Sequence, residues 1–538
     1  MGMATPGPPS PLPPQRRNSR VVVAVVLTVV VGLVLVAAGG LVTWRLVADD
    51  ESGGSGPSAR ELPPPPAPTG ELPATPAELA RYYDQELDWR DCGRNECAEL
   101  AVPLDYAEPD GETIEVAVLR VPARDRANRV GQLVVNPGGP GGSGIQLAQA
   151  GSLAVGTAVA RRYDIVGFDP RGVAASTPLE CGTTEETDAF LATDPDPDTP
   201  AEVRELDEIA RAYGESCIER SGDLASHVST VEVAKDMDVL RAALGEPELD
   251  YLGYSYGTTL GATYADLFPD HVGRMVLDGA VAQNISDEQR TLDQARGFQT
   301  ALDAYIEDCL AQGDCVLGDS LAEAQQTIAD LLDRLDAEPL PTGSDRELTE
   351  GLGVYGIFMP LYVKEYWPLL TDALTKALDG DGSALLDLSE QYAQRGDDGY
   401  RTNQTEALYA VNCLDATSSL PLEDVPSRFA EFEDASPVFG RLFAYGLAGC
   451  GSWPLFEPRE KDDVRAERAA PIVVVGTTRD PATPYVWAQQ LAQELESGVL
   501  VSRDGDGHTG FNQGNECVDQ AVVGYLVDGT VPRDGLEC

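Results

Sequence analysis

The pentapeptide Gly253-Tyr254-Ser255-Tyr256-Gly257 contains a serine whose surroundings could make it a nucleophile. The apolar stretch LDYLGYS before it is typical of a buried strand, and TTLGATYADLFP after it is typical of a helix. In that strand–turn–helix order a Gly-x-Ser-x-Gly pattern makes a sharp turn that raises the serine Oγ above a sheet edge. The pattern therefore predicts Ser255 as a nucleophile, the alternative being a chance serine in a tight turn.

A serine hydroxyl needs a general base to become reactive. The sequence has three histidines, His227, His271 and His508. We interpret His271, at a helix end, and His227, in a loop before a helix, as surface residues. His508 lies in the Gly-rich segment RDGDGHTGF, directly after the last predicted strand. A loop at the carboxyl end of a strand can reach the serine, so His508 is predicted as the base.

The base in turn needs a carboxylate that fixes its tautomer and stabilises the imidazolium. Asp480 follows the predicted strand PIVVVG directly, and the chain order Ser255, Asp480, His508 is one that such sites use. Asp504 and Asp506 are rivals, but they lie too near His508 in sequence to come from a separate strand end. Asp480 is therefore the predicted acid.

Backbone amides could stabilise the oxyanion that a serine attack creates. The segment NPGGPGGSG, residues 136–144, follows the predicted strand GQLVV, and its glycines can aim N–H groups at a ligand. We predict the amides of Gly139 and Tyr256 as the oxyanion hole. A phosphate-binding loop is the alternative, but neither a G-K-[ST] ending nor a G-x-G-x-x-G spacing is present. Arg171, in FDPRG at another strand end, either pairs with a carboxylate that shapes the pocket or is structural.

The elements that must position these residues alternate from residue 113 onward. Short apolar strands are separated by helical patterns such as 229–244, which predicts an α/β fold with a mostly parallel sheet and helices on both faces. The alternation stops between 282 and 467, where helix formers dominate. We interpret 78–281 and 468–538 as the two parts of one core, and 282–467 as a helical cap insertion over the carboxyl edge of the sheet.

The N-terminal region differs in composition from the rest of the chain. Residues 21–44 contain no charge and are long enough for a transmembrane helix, while 45–77 form a Pro- and Gly-rich linker. Arg16, Arg17 and Arg20 precede the apolar run, so residues 1–20 are predicted to be cytoplasmic and the catalytic part extracytoplasmic. A long cleaved signal, and hence a secreted protein, is the alternative.

The net charge and the cysteine content restrict which partners, disulfides and cofactors the sequence predicts. The formal net charge of −51 excludes a nucleic-acid partner, since no basic stripe is available to neutralise phosphates. The even number of cysteines indicates disulfides outside the cytoplasm, and we pair sequence neighbours: Cys92 and Cys97, Cys181 and Cys217, Cys309 and Cys315, Cys413 and Cys450, Cys517 and Cys538. No zinc spacing is apparent, and no metal or cofactor is expected.

These segments together resemble the secreted actinobacterial tripeptidyl aminopeptidases, α/β-hydrolases of the prolyl-aminopeptidase type with a TAP-like C-terminal region. The matching segments include NPGGPGGSG, FDPRG, GYSYGTTLGATYADLFPDHVGRMVLDG, CGSWP, RDPATP, GHTGF and CVDQAVVGYLVDGTVPRDGLEC, spread over about residues 80–538. The resemblance implies an α/β-hydrolase fold and serine-dependent release of short peptides from free N-termini. It also implies Ser255 as nucleophile, Asp480 as acid and His508 as base.

Two other functions use the same residues or the same fold. A carboxylesterase or acyltransferase would use the same triad on a small acyl substrate, and a non-catalytic binding protein would use only the hydrolase fold. An exopeptidase must also bind the ammonium group of its substrate, and Glu406 and Asp415 in the insertion are weak candidates for that role. The oligomeric state is not indicated by the sequence.

Overall fold

The computed structural model describes residues 72–313, 315–460 and 462–538. The predicted N-terminus 1–20, the predicted span 21–44 and most of the predicted linker 45–77 lie outside these residues. Within the described ranges, no helix combines the length and the apolar character needed to cross a bilayer.

The strands form one large sheet and one small hairpin. In chain order they are β1 (Arg90–Cys92), β2 (Asn95–Pro103), β3 (Thr113–Val121), β4 (Gly131–Asn136), β5 (Tyr163–Phe168), β6 (Leu249–Tyr254), β7 (Val272–Asp278), β8 (Arg395–Gly396), β9 (Gly399–Tyr400), β10 (Ile472–Arg479), β11 (Gly498–Asp506) and β12 (Leu536–Glu537). The large sheet has the order β1-β2-β3-β5-β4-β6-β7-β10-β11-β12, and β8 pairs with β9.

The large sheet is parallel from β5 to β12, and β1, β2 and β3 extend it through antiparallel pairs. Strand residues are buried on both faces: Val134 and Leu277 belong to one apolar cluster, while Val135 and Val276 belong to another. Burial on both faces explains why these strands read as continuous apolar runs. The predicted α/β-hydrolase fold is therefore confirmed.

The helices fall into a set that covers the sheet and a set that lies above its edge. In chain order they are α1 (Ala80–Tyr83), α2 (Gly144–Ala150), α3 (Ser152–Arg162), α4 (Thr184–Leu191), α5 (Pro200–Ser221), α6 (Thr230–Ala243), α7 (Tyr256–Leu267), α8 (Asp287–Gln312), α9 (Leu321–Ala337), α10 (Glu350–Leu361), α11 (Trp367–Leu378), α12 (Ser383–Tyr392), α13 (Gln404–Asp415), α14 (Phe429–Ala435), α15 (Gly440–Gly446), α16 (Tyr485–Glu494) and α17 (Glu516–Asp528).

Helices α8–α15 lie between β7 and β10 in the chain and include a core of their own. Phe298, Phe358 and Phe443 pack their rings together there, with centroids 4.0–6.0 Å apart. Helix α10 is buried along nearly all of its length because it runs through this second core. The segment between β7 and β10 is therefore a helical layer rather than a loop, and β8–β9 is the short hairpin within it.

The segment between β5 and α6, which carries α4 and α5, also leaves the sheet, and we call it the α4–α5 excursion. Leu191, at the end of α4, belongs to the apolar cluster of α8–α12 rather than to the sheet clusters. The sequence pattern predicts residues 78–281 as a whole as part of the sheet core and does not indicate this association. Its cause is long-range packing, which local periodicity does not encode.

Five disulfides join the described cysteines, and each pairs sequence neighbours as predicted: Cys92–Cys97, Cys181–Cys217, Cys309–Cys315, Cys413–Cys450 and Cys517–Cys538. Cys181–Cys217 closes the excursion that carries α4 and α5. Cys517–Cys538 fixes the C-terminus beside α17.

Candidate active site

Ser255 occupies the turn between β6 and α7. Its backbone has φ +56° and ψ −125°, a conformation that L-residues rarely adopt, and its amide donates to the carbonyl of Asp278 at 2.9 Å. The two glycines of the pattern are required by space: a Cβ on Gly253 would lie 2.3 Å from the carbonyl oxygen of Gly257, and one on Gly257 would lie 2.9 Å from Asn136 Oδ1. The turn is thus held in a strained form of the kind that presents a serine above a sheet.

The loop after β11 brings His508 to Asp480. His508 Nδ1 lies 2.8 Å from Asp480 Oδ1 and 2.9 Å from Oδ2, and both side chains are buried. Three backbone amides also donate to this carboxylate, those of Ala482, Thr483 and Thr509, at 2.9–3.0 Å. The carboxylate is therefore fixed by its own loop and by the histidine loop at once.

The rival carboxylates point elsewhere. Asp504 pairs with Arg479 at 2.9 Å, and Asp506 pairs with Arg479 and with Lys364. Neither is hydrogen-bonded to His508. Of the three carboxylates considered from the sequence, the structure brings Asp480 to the histidine.

The electrostatic surroundings favour a protonated His508. Burial lowers its pKa, but the Asp480 carboxylate and then the Asp278 charge more than offset this, so the pKa of His508 is raised above its ordinary value. Space for the ring comes from Gly279, at φ +67°, where a Cβ would lie 3.1 Å from His508 Cε1.

Ser255 and His508 line the same cavity, of about 150 Å³. His508 Nε2 is buried and has no hydrogen-bond partner among the described residues, and no hydrogen bond joins it to Ser255. An unpartnered imidazole nitrogen, on a side chain that lines the cavity, is available to take or give a proton. Such hydrogen bonds are often long in a free enzyme and shorten when substrate binds.

The Gly-rich loop lies directly against the serine turn. Gly138 has φ +93°, and a Cβ there would lie 2.5 Å from the Tyr254 carbonyl and 3.0 Å from the Tyr256 nitrogen. The Gly138 amide donates to Asn136 Oδ1 at 2.8 Å, whereas the amides of Gly139 and Tyr256 have no acceptor within the described residues. Two free N–H groups thus flank the serine, which is what binding an oxyanion requires.

Three comparisons with known proteins bear on this geometry. A family model described as TAP-like protein matches residues 436–538. Serine protease Hip1 of Mycobacterium tuberculosis is 37% identical over 477 residues, which cover 84% of this chain and 91% of that protein. Tripeptidyl aminopeptidase of Streptomyces lividans is 34% identical over 477 residues, covering 85% and 88%. The chain belongs to the tripeptidyl aminopeptidase-like α/β-hydrolase family.

This family also includes a relative named for another reaction. Carboxylesterase B of M. tuberculosis is 38% identical over 454 residues, covering 82% of this chain and 86% of that protein. A solved proline iminopeptidase from Mycobacterium smegmatis aligns with a TM-score of 0.35 and 17% identity, over 76% of this chain and 91% of that one. As a member of the family, the chain is an enzyme of the serine hydrolase class.

Asp278 is a site residue that the sequence analysis missed. It ends β7, is fully buried, and accepts hydrogen bonds from the amides of Gly510 and Phe511, both at 2.8 Å. Burial raises its pKa to about 7, although these two amides act in the opposite direction. Asp278 therefore holds the loop that carries His508. Its position directly before Gly279, at a strand end, was the only local signal.

Apart from His508, the cavity of this family member is lined by neutral groups. Gln394 and Gln404 contribute to it, together with five tyrosines: Tyr254, Tyr355, Tyr362, Tyr392 and Tyr409. Burial raises the pKa of all five phenols, so they remain uncharged. Apart from His508 and these phenols, no titratable side chain lines the described cavity.

The two carboxylates considered for ammonium binding lie outside the cavity lining. Glu406 accepts a hydrogen bond from the amide of Gly182, and burial raises its pKa to about 7. Asp415 accepts from the backbone amide and the hydroxyl of Thr230. Both carboxylates are thus engaged with the chain near the excursion and α6.

Three other sequence candidates have structural partners. Arg171 is fully buried, forks onto Asp236 at 2.7 Å and donates to three backbone carbonyls, which corresponds to the structural alternative. His227 bonds Glu232 at 2.7 Å and His271 bonds the buried Asp238 at 2.8 Å. Both histidines are half-buried rather than simply exposed, and neither lines the cavity.

Proposed function

We propose that this protein is an aminopeptidase that releases short peptides, of the tripeptidyl type, from the free N-termini of its substrates through an acyl-enzyme formed on Ser255. In this mechanism His508 Nε2 takes the proton of Ser255 Oγ as the oxygen attacks the scissile carbonyl carbon. The protonated histidine then gives the proton to the leaving amine, and the C–N bond breaks. Water, deprotonated by the same nitrogen, releases the acyl group and regenerates the serine.

Asp480 and the two free amides are proposed to stabilise the transition state of this reaction. Asp480 orients the imidazole through Nδ1 and stabilises its charged form. The amides of Gly139 and Tyr256 are proposed to hold the oxyanion, and one such donor typically contributes roughly 3 kcal/mol to barrier lowering. The observation that carries the proposal is the His508–Asp480 pair: Nε2 of this histidine has no partner among the described residues, and the residue lines the same cavity as Ser255.

A small-acyl carboxylesterase is the second candidate, and the cavity favours it. The lining has no carboxylate for a substrate ammonium group, and a volume of about 150 Å³ suits a small acyl group. A tripeptidyl enzyme would have to supply that carboxylate from elsewhere when the peptide binds.

A matched substrate panel separates the two candidates. A tripeptide anilide with a free amino terminus, the same anilide N-acetylated, and p-nitrophenyl esters of short acids are assayed with the wild type and with Ser255→Ala. The aminopeptidase proposal expects turnover of the free anilide, at least about tenfold loss on acetylation, and no turnover by Ser255→Ala. Ester turnover with neither anilide cleaved would replace it with the esterase.

We propose further that the catalytic part is extracytoplasmic and anchored through residues 21–44. The five disulfides support an oxidising compartment. The uncharged run after Arg16, Arg17 and Arg20 supports the anchor and its orientation. Recovery of the intact N-terminus in carbonate-washed membranes is expected, whereas a soluble product cleaved after this run would indicate secretion.

A further inference from the structure

A cluster of carboxylates lies where the connection between α4 and α5 meets α10. Asp194, Asp336 and Glu350 each offer an oxygen atom, and these atoms lie within 4.8 Å of one another. They come from three different places: the α4–α5 connection, the last turn of α9 and the first residue of α10. Asp196 lies beside them and interacts with Glu350.

The burial of Glu350 distinguishes this cluster from an ordinary solvated acidic patch. Its residue exposure is 6%, and its Oε2 is buried with no hydrogen-bond partner among the described residues. A buried carboxylate oxygen without a partner costs free energy unless a cation or a donor reaches it. This unpartnered oxygen is part of the Glu350 carboxylate, which lies in the cluster with Asp194 and Asp336.

No protein cation compensates this charge. Within the described ranges, none of Asp194, Asp196, Asp336 and Glu350 forms an ion pair with lysine or arginine. Arg441, whose charge reaches Asp196, pairs with Glu433 at 2.8 Å instead.

We propose that Asp194, Asp336 and Glu350, assisted by Asp196, form a Ca²⁺ site. The donors are all oxygen, which selects a hard cation over a soft one, and Ca²⁺ accepts irregular sets completed by carbonyls and water. Mg²⁺ demands a smaller, near-octahedral set and dehydrates reluctantly. Sites of this kind in extracellular proteins bind with dissociation constants of roughly 10⁻⁴ to 10⁻³ M.

The site joins two elements that also line the catalytic cavity. Leu191, three residues before Asp194, and Tyr355, five residues after Glu350, both line that cavity. The backbones already approach closely, because a Cβ on Gly351 would lie 2.5 Å from the carbonyl oxygen of Thr193. Bound Ca²⁺ therefore fixes the α4 end against α10 and with it one wall of the cavity.

Calcium binding is measured on the full chain in detergent micelles after dialysis against EDTA. Titration calorimetry with CaCl₂ is expected to show one site, and Tb³⁺ luminescence excited through tyrosine reports its location, since Tyr445 donates to the carbonyl of Pro197 nearby. Asp336→Asn and Glu350→Gln are expected to weaken Ca²⁺ binding about tenfold or more, because affinity follows the number of charged ligands. Asp330→Asn, on the same helix and outside the cluster, is the matched control and keeps wild-type affinity.

Thermal unfolding at constant ionic strength gives a second, independent result. Replacing EDTA with CaCl₂ is expected to raise the Tm of the wild type, whereas the Tm of Glu350→Gln should change much less because the variant binds Ca²⁺ more weakly. MgCl₂ does not replace CaCl₂. Since Asp336 is exposed, Asp336→Asn tests the proposal even if Glu350→Gln fails to fold.

Two outcomes would overturn the Ca²⁺ site. One is the absence of any binding heat or stabilisation up to ~10 mM CaCl₂, which would leave the carboxylates sharing protons among themselves. The other is unchanged affinity in both Asp336→Asn and Glu350→Gln, which would put any bound Ca²⁺ elsewhere on the acidic surface.

Discussion

At the scale of single residues, the charges around His508 set the conditions for catalysis. The imidazole is hydrogen-bonded to Asp480 and also interacts electrostatically with Asp278. Together these carboxylates raise the pKa of His508 above the ordinary 6.5. A general base must be unprotonated to accept the serine proton. We therefore expect kcat/KM to rise with pH through an acid limb that lies above pH 6.5.

The pH profile of Asp278→Asn checks this assignment. The Asp278 carboxyl, whose pKa is about 7, raises the pKa of His508 when it is ionised, so its removal is expected to move the acid limb to lower pH. Asp330→Asn, an exposed control, leaves the limb unchanged. The readout separates charge from loop positioning, since a purely structural loss lowers kcat without moving the limb. A wild-type limb well below pH 6.5 would contradict the account.

Gly138 provides a steric test of the loop beside the serine. In Gly138→Ala the new Cβ would meet the Tyr254 carbonyl at 2.5 Å, at a positive φ, so the loop must shift away from Ser255. We expect a loss of kcat of about 10² or more, the effect of losing one oxyanion donor.

Gly524→Ala is the matched control for that substitution. Gly524 lies inside α17, and a Cβ there meets nothing within 4 Å. Alanine in a helix interior is expected to stabilise by roughly 0.5–1 kcal/mol and to leave kcat unchanged. Wild-type kcat in Gly138→Ala would show that the loop does not support the reaction.

Local sequence was sufficient to select several residues that lie around one cavity. The Gly-x-Ser-x-Gly pattern is read within five residues, and the scarcity of histidine left few alternatives to His508. Asp278 was not predictable in the same way, because the amides that it binds are more than two hundred residues away in the chain.

At the scale of elements, the α4–α5 excursion contributes Leu191 to the lining of the cavity. Cys181–Cys217 closes a separation of 36 residues around α4, whereas Cys309–Cys315 closes only 6. Loop-closure entropy makes the longer link the more stabilising one, at roughly 2–5 kcal/mol for a native disulfide. The Cys181→Ser/Cys217→Ser pair should therefore lower Tm and raise KM, since Leu191 lies within that loop.

The Cys309→Ser/Cys315→Ser pair is the control for the excursion. It should lower Tm less and leave KM unchanged, because its short loop joins α8 to the segment before α9, and neither cysteine lines the cavity. Thermal melts and KM for the best substrate of the panel measure both effects. An equal KM in the two double variants would contradict a role for the excursion in the cavity wall.

The type of each secondary-structure element could be predicted from hydrophobic periodicity, but which elements pack together could not. The parallel strands were predictable because continuous apolar runs mark burial on both faces. The association of α4 with α8–α12, and the tyrosine lining contributed by α10, α12 and α13, depend on contacts between distant segments. No local pattern carries such information.

At the scale of the whole molecule, the formal net charge of −51 means that acidic side chains repel one another and destabilise the compact state. Salt screens this repulsion, and near 1 M the screening length falls to about 3 Å. We expect Tm to rise from low salt to ~1 M NaCl in EDTA, and to rise further when CaCl₂ is added at fixed ionic strength. A Tm that is flat or falls with NaCl would show that self-repulsion is not limiting.

The central claim is that Ser255 is activated by His508 and Asp480, and covalent labelling tests it most directly. After reaction with a fluorophosphonate, peptide mass mapping of the wild type should find one adduct, on the peptide containing Ser255. Labelling should be absent in Ser255→Ala and slowed by orders of magnitude in His508→Ala and Asp480→Asn. An unlabelled wild type, or an adduct on a different residue, would contradict the account.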